Sequence, residues 1–205
     1  MTAVDAGTVV IVFARAPAPG AVKTRLIPLL GPERAAALHA RLVEKALETA
    51  HDAGFPRIEL HGTPGVEDPF FRACAGRSGA ALVAQTGSDL GARMRSAFES
   101  ALARHPRVLL VGSDCPALTA DHLRQADRVL RDGADAVFVP CEDGGYALIG
   151  LMRVDAKLFE DIAWGSDRVM AETRVRLEQR GWTWRELETL WDVDRPEDYA
   201  RFVKQ

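Results

Sequence analysis

Cysteine is scarce in this chain. There are three, Cys74, Cys115 and Cys141, an odd number with no C-x-x-C spacing. That excludes a disulfide framework and a zinc ribbon, and it suggests reduced thiols in a cytoplasmic protein. No stretch approaches the roughly 20 apolar residues needed to span a bilayer. The apolar run at 8–14 is too short for a secretory core and leads into a polar loop. Positive charge is not in excess: 26 Lys and Arg stand against 29 Asp and Glu, a net charge of −3, without the basic stripe of a nucleic-acid binder. Blocks of like charge are missing too, so no disordered tail is expected beyond residues 1–7. There is no internal repeat, no low-complexity tract and no Pro/Gly/Ser linker. A chain of 205 residues can bury a real core, and 1–205 is expected to form a single domain.

What is present alternates between strand and helix. The valine-rich run at 8–13 reads as a strand buried on both faces. Apolar residues at Leu38, Leu42, Ala46 and Ala50 mark a helix over 31–53, with Gly54 past its end as a left-handed cap. Further strands are predicted at 57–61, 81–85, 107–112 and 135–140, with 145–151 and 183–187 as shorter runs. Helices are predicted at 89–103, at 119–131 behind the N-cap Thr119, at 166–180, and at 195–202 with Pro196 in its first turn. Strands separated by helices favour parallel pairing. The fold class is therefore α/β, a three-layer α/β/α sandwich around a mainly parallel sheet. Ligands of such sheets bind beyond the carboxyl ends of the strands, at a topological switch point.

Four segments gather chemistry at that edge: FARAPAPGAVKTRL (13–26), VGSDCPALT (111–119), EDGGYALIGL (142–151) and WDVDRPEDY (191–199). In the first, Arg15, Lys23 and Arg25 follow a strand closely, Gly20 lets backbone approach a ligand, and Pro17 and Pro19 stiffen the loop. Backbone N–H groups and guanidinium forks suit phosphate oxygens. Ala21 and Val22 stand where a Walker A loop has glycine before Lys-Ser/Thr, and no G-x-G-x-x-G is present. Asp114 ends the fourth strand, after Gly112 and Ser113. A hard cation such as Mg²⁺ or Mn²⁺ prefers carboxylate, water and phosphate oxygens. Asp194 is the natural second ligand, with Asp192 as its competitor. The competing structural roles are turn formation at Asp114 before Pro116 and capping of the last helix by Asp194.

Taken together, these stretches resemble a nucleotide-diphospho-sugar transferase of the GT-A type. The nearer resemblance is to the bacterial glycosyltransferase-like family found beside radical-SAM enzymes and known as a domain of unknown function. It rests on VIVFARAPAPGAVKTRL, QTGSDLGARM, LLVGSDCPALT, DGGYALIGL and DVDRPEDY, which span nearly the whole chain. More distant relatives are the molybdenum-cofactor cytidylyl- and guanylyltransferases, phospholactate guanylyltransferase and CMP-KDO synthetase. In those nucleotidyltransferases the first loop carries paired glycines where this chain has prolines. The resemblance implies that Ala14, Arg15, Gly20, Lys23 and Arg25 hold the base and phosphates of a nucleotide. It places Gln85, with Gly87 after it, at the nucleobase pocket and counts Ser113 among the nucleotide-binding residues. It makes Asp114 and Asp194 the metal ligands, with Arg195 standing where the related D-T-P-E-D signature has threonine. Gly144, Gly145 and Tyr146 of DGGY would form the acceptor-side wall, and Asp143 is marked as a site residue.

The expected chemistry is transfer from a nucleotide-linked donor, assisted by Mg²⁺ or Mn²⁺. Lys23 and Arg25 supply preorganised positive potential. Asp143 or Glu142 is the available general base for an acceptor hydroxyl. Glycosyl transfer from an NDP-sugar to a small acceptor releases NDP, whereas nucleotidyl transfer to a phosphorylated acceptor releases pyrophosphate. A third possibility is a non-catalytic nucleotide-binding regulator. The five histidines lack zinc spacing and receive no role. Cys115 and Cys141 read as small hydrophobes near one rim, and Trp164 as a core residue.

Overall fold

The computed structural model describes residues 7–204, so the expectation for the first residues lies, apart from Gly7, outside the described residues. Seven strands form one sheet: β1 (Thr8–Arg15), β2 (Ile58–Thr63), β3 (Ala81–Ala84), β4 (Arg107–Val111), β5 (Ala136–Pro140), β6 (Tyr146–Leu151) and β7 (Trp184–Glu186). Their spatial order is β3-β2-β1-β4-β6-β5-β7. Pairing is parallel except at β6, which runs antiparallel to both β4 and β5. The order runs outward from β1 to β3 and then returns to β4, so the switch point lies between β1 and β4.

The three layers follow from alternation along β1. Val10, Val12 and Ala14 join one apolar cluster, and Val9, Ile11 and Phe13 join another on the opposite face. The first face is covered by α1 (Pro32–Asp52), α2 (Pro69–Ser78) and α4 (Ala120–Arg131), through residues such as Leu47, Phe71 and Leu123. The second is covered by α3 (Leu90–Leu102) and α5 (Val169–Gln179), through Phe98 and Leu177. A third cluster of Leu26, Leu38, Leu42, Trp191 and Val193 packs beneath the loop after β1, with Tyr199 and Phe202 of α6 (Pro196–Phe202) against it. That cluster fixes the loop carrying Lys23 and Arg25 relative to the segment carrying Asp192 and Asp194.

The predicted elements appear with small shifts at their ends; the sequence reading left out α2 and the single helical turn Ile27–Leu30. The signal for α2 was local: Asp68 precedes Pro69, and its carboxylate accepts the Phe70 N–H at 2.9 Å. This is the pairing of N-cap acid and first-turn proline. Gly54 does take the left-handed conformation beyond α1, with φ of 85°. Among the described residues no helix is long and apolar enough to cross a membrane.

Glu59, inside β2, illustrates how polar groups are tolerated in this core. Its carboxylate accepts from His61 Nε2 at 2.8 Å and from Arg104 at 3.0 Å. The His61 hydrogen bond and the Arg104 guanidinium hold its carboxyl below the usual 4.5, against the opposing pull of burial. A depressed folded-state value means that Glu59 stabilises the fold above the unfolded value, and that this is lost as pH falls through the folded one. Glu59→Gln is therefore expected to lower Tm at pH 7. The deficit should shrink below pH 4.5 and vanish in stronger acid, as followed by circular dichroism melts across pH.

Candidate functional site

A cavity of about 680 Å³ opens at the carboxyl ends of β1 and β4 and the start of β6. Because β6 is antiparallel, it begins where its neighbours end, which brings Asp143 and Tyr146 to the same rim. Of the residues expected at the site, Ala14, Arg15, Arg25, Gln85, Ser113, Asp114, Asp143, Tyr146 and Asp194 line this one cavity. The two widely separated aspartates thus share a cavity, as a common ligand requires.

The loop after β1 is built in steps. Ala16 N–H bonds the Thr63 carbonyl at 2.9 Å, and Ala21 N–H bonds the Ala18 carbonyl at 3.0 Å. Gly20 turns the chain with φ of 82°. Its position is open, with nothing near a would-be Cβ, and it does not line the cavity. Lys23 follows in the left-handed region (φ 47°, ψ 42°), a conformation seldom taken by a residue with a side chain. It is only 8% exposed, and its ammonium pairs with the carboxylate of Asp114. Two residues on, Arg25 pairs with Asp194. Two of the three expected phosphate-binding cations, Lys23 and Arg25, are therefore paired with an expected metal-binding acid. Leu26, fully buried, anchors the end of the loop.

The acids outnumber these cations. Asp114, Asp143, Asp192 and Asp194 all line the cavity. Desolvation and the neighbouring Asp143 charge push Asp192 up to about 6, with Lys23 acting in the opposite direction. Asp194 does not cap α6. Arg195 is the N-cap residue, and Asp198 in the first turn reaches back to it, its carboxylate accepting the N–H groups of Asp194 at 3.1 Å and Arg195 at 2.7 Å. The Asp194 carboxylate is left facing Arg25. The Asp114 carbonyl accepts the Val193 N–H at 2.9 Å, which ties the end of β4 to the Asp192–Asp194 segment.

The residues fit a hard divalent cation in donor type, since the carboxylates supply oxygen ligands. Oδ1 of Asp114 is buried and makes no hydrogen bond, its ion pair with Lys23 aside. Among the described residues, no three His, Cys, Asp or Glu side chains are gathered around one point. Phosphate oxygens would have to complete the shell, as they commonly do for Mg²⁺.

The other expected residues divide. Gln85 Nε2 donates to the carbonyls of Ala14 (3.1 Å) and His61 (2.8 Å), which leaves Oε1 as its remaining hydrogen-bonding atom. Gly87 lies against the start of α3, where a Cβ would meet Arg93 N at 2.6 Å, and it lines a neighbouring hollow with Glu99 and Glu160. Gly144 and Gly145 do not line the cavity. Gly144 (φ 87°) is pressed on the Asp167 backbone, and its carbonyl accepts the Met170 N–H at 2.8 Å. Asp143 Oδ1 accepts the Gly145 N–H at 2.8 Å. Burial pushes the Tyr146 hydroxyl up, and its ring meets Trp164 edge-on at 6.5 Å.

Trp164 lines the cavity in addition to packing, a position the sequence reading assigned to the core. Cys115 and Cys141 line it too. Sequence reasoning missed His39 altogether. It projects from α1 into the cavity, its Nε2 3.0 Å from the Arg15 carbonyl. Burial lowers its pKa despite the Asp114 charge. The available signal was a polar residue beside the apolar stripe of Leu38 and Leu42. Gly144→Ala is expected to destabilise by more than about 1 kcal/mol, because the left-handed backbone and the Asp167 contact both oppose a Cβ. Urea unfolding checks this.

Comparison with curated protein sequences gives no match. Among solved structures, the fold is similar to a protein from Desulfovibrio desulfuricans G20 provisionally assigned as a nucleotide-diphospho-sugar transferase. That protein is 28% identical, with a TM-score of 0.88 over 97% of this chain and 87% of that one. It is also similar to CMP:2-keto-3-deoxy-manno-octonic acid synthetase complexed with CTP (12% identity, TM-score 0.60, covering 95% of this chain and 96% of that one). A third is Rv0371c from Mycobacterium tuberculosis H37Rv, complexed with manganese (20% identity, TM-score 0.59, covering 97% and 98%). The last two likenesses are of fold alone. Residues 38–166 match the sequence profile of DUF2064, described as uncharacterized protein conserved in bacteria, and with more than half its length matched the chain belongs to that family.

Proposed function

We propose that the chain, as one domain over 1–205, is a cytoplasmic transferase that uses a nucleotide-linked donor with Mg²⁺ or Mn²⁺. The reaction is glycosyl transfer from an NDP-sugar to a small acceptor. The observation that carries this reading is the reciprocal pairing of Lys23 with Asp114 and Arg25 with Asp194 beside one cavity. A phosphate chain carrying a cation offers each partner an exchange: oxygen anions for Lys23 and Arg25, positive charge for Asp114 and Asp194. The likeness to a provisionally assigned nucleotide-diphospho-sugar transferase at 28% identity supports the donor class.

In this reading, Ala14, Arg15, Gln85 and Ser113 hold the nucleotide, while Gly20 turns the loop and Gly87 shapes the approach to α3 from outside the cavity. Gln85 Oε1 is available to a nucleobase N–H. Arg15, Lys23 and Arg25 meet the phosphates. A bound divalent ion supplies charge neutralisation at the diphosphate as it leaves. Lys23 and Arg25 stabilise the same developing charge from fixed positions. Asp143 accepts the proton of the acceptor hydroxyl as that oxygen bonds to the anomeric carbon. The carbon–oxygen bond to phosphate breaks, and NDP departs with the electron pair. The Gly145 N–H on Oδ1 of Asp143 leaves Oδ2 for the proton. Gly144, Gly145 and Tyr146 belong to the acceptor side, with Gly144 acting through its contact with the Asp167 segment.

A thermal-shift panel of NTPs, NDPs and NDP-sugars with Mg²⁺ and Mn²⁺ tests the binding reading. At 100-fold excess over Kd, a ligand of the native state should raise Tm by roughly 5–10 °C. The shift should require metal and collapse in Asp114→Asn. If no nucleotide shifts Tm, the reading fails. Product analysis then separates the reactions. Release of NDP supports glycosyl transfer, release of pyrophosphate replaces it with nucleotidyl transfer, and binding without turnover identifies a regulator. Asp143→Asn is expected to lower kcat by about 10²–10⁴ with donor binding retained, read by steady-state kinetics and the same thermal shift.

A further inference from the structure

His39 is a buried polar side chain with an unexplained atom. The residue is 5% exposed, and its Nδ1 has no hydrogen-bond partner. Nδ1 lies 3.8 Å from Oδ1 of Asp114, which is buried and has the Lys23 ammonium as its partner. The tautomer follows from the other nitrogen. Nε2 sits 3.0 Å from the Arg15 carbonyl, which can only accept, so Nε2 carries the ring proton. In the neutral ring, Nδ1 then presents a lone pair toward a carboxylate oxygen. Lys23 meets the Asp114 oxygen, but the His39 lone pair is out of water with no donor, so a cation that replaced the ammonium would satisfy both atoms. A first-row cation binds imidazole nitrogen and carboxylate oxygen at about 2.0–2.2 Å each. A single ion can therefore bridge a gap of 3.8 Å.

We infer that His39 Nδ1 and Asp114 Oδ1 together ligate the divalent cation, and that this mixed nitrogen and oxygen pair selects Mn²⁺ over Mg²⁺. The inference rests on the metal-assisted reading above and deepens it by naming a nitrogen ligand and the ion preferred. Mg²⁺ favours oxygen ligands, whereas imidazole suits the transition metals. The Arg15 carbonyl acts on the site as the group that orients the ring, as second partners of metal-bound histidines do. Lys23 holds Asp114 in the ligand-free arrangement. Its flexible four-carbon stem lets the ammonium move onto phosphate as the cation takes its place. The placement of His39 also accounts for the cost of a polar residue on a face of α1 whose neighbours Ala35, Ala36, Leu42 and Val43 are buried.

The test is electron paramagnetic resonance of Mn²⁺ added to the full chain, alone and with inorganic pyrophosphate, with echo modulation to detect directly bound nitrogen. A ¹⁴N coupling that converts to the ¹⁵N pattern in protein labelled with ¹⁵N-histidine is expected. It should disappear in His39→Gln, while Mn²⁺ affinity falls about tenfold and the preference over Mg²⁺ narrows. The labelled parent protein reads the coupling without any substitution, and His39→Asn provides a second variant. Bound Mn²⁺ without histidine nitrogen coupling, or coupling that survives in both variants, overturns this inference and leaves the metal reading standing. No bound Mn²⁺ in either condition overturns both.

Discussion

The contact between Lys23 and Asp114 organises the site. An ammonium with almost no exposure to water is costly unless a counter-charge meets it, and Asp114 supplies that charge from the end of β4. Lys23 meets it from a left-handed backbone conformation. The bond joins the loop after β1 to the neighbouring strand across the switch point of the sheet. Beneath it, the apolar cluster of Leu26, Trp191 and Val193 brings in the Asp192–Asp194 segment. Three parts of the chain far apart in sequence are held at one edge by one ion pair and one small hydrophobic cluster.

The cavity then carries an imbalance of charge. Five aspartates, Asp89 among them, line it with three arginines, Arg15, Arg25 and Arg93. Arg25 forms a solvent-exposed pair with Asp194, of a kind worth little by itself. Asp192, near Asp143 and Asp114 and partly removed from water, is pushed up to about 6. Such crowding is disfavoured in a site of purely structural purpose, and it is relieved when a polyanion arrives together with a cation. The arrangement is thus set up for an exchange of partners, which is a physical basis for binding phosphate and metal cooperatively.

Sheet topology decides which residues can take part. Six strands follow parallel pairing, and the antiparallel β6 inserts between β4 and β5. That reversal places the start of β6 at the edge where its neighbours end. Asp143 and Tyr146 reach the cavity for this reason. Gly144 serves the same rim differently, through a close backbone contact that docks the chain before α5.

Much of this was legible in the amino-acid sequence, because its signals are local. The run of valines in β1, the stripe of α1, and the loop cations with Gly20 are each written within a few consecutive residues. So is the position of Asp114 at a strand end. The α/β class and the gathering of four segments at one edge follow from these by the rules of parallel sheets. What only the tertiary structure decided concerns pairs distant in the chain. Sequence could name Lys23 and Asp114 but not pair them, since ionic contacts depend on distance in space and not on spacing along the chain. It could not show that Asp198 bonds back to the N-cap Arg195 while Asp194 pairs with Arg25. Nor could it show His39 turned toward Asp114, because the face of a helix that meets a cavity is set by packing against the sheet. Residue types and strand ends are encoded locally, while charge pairing, burial and lone-pair direction emerge only when the layers close.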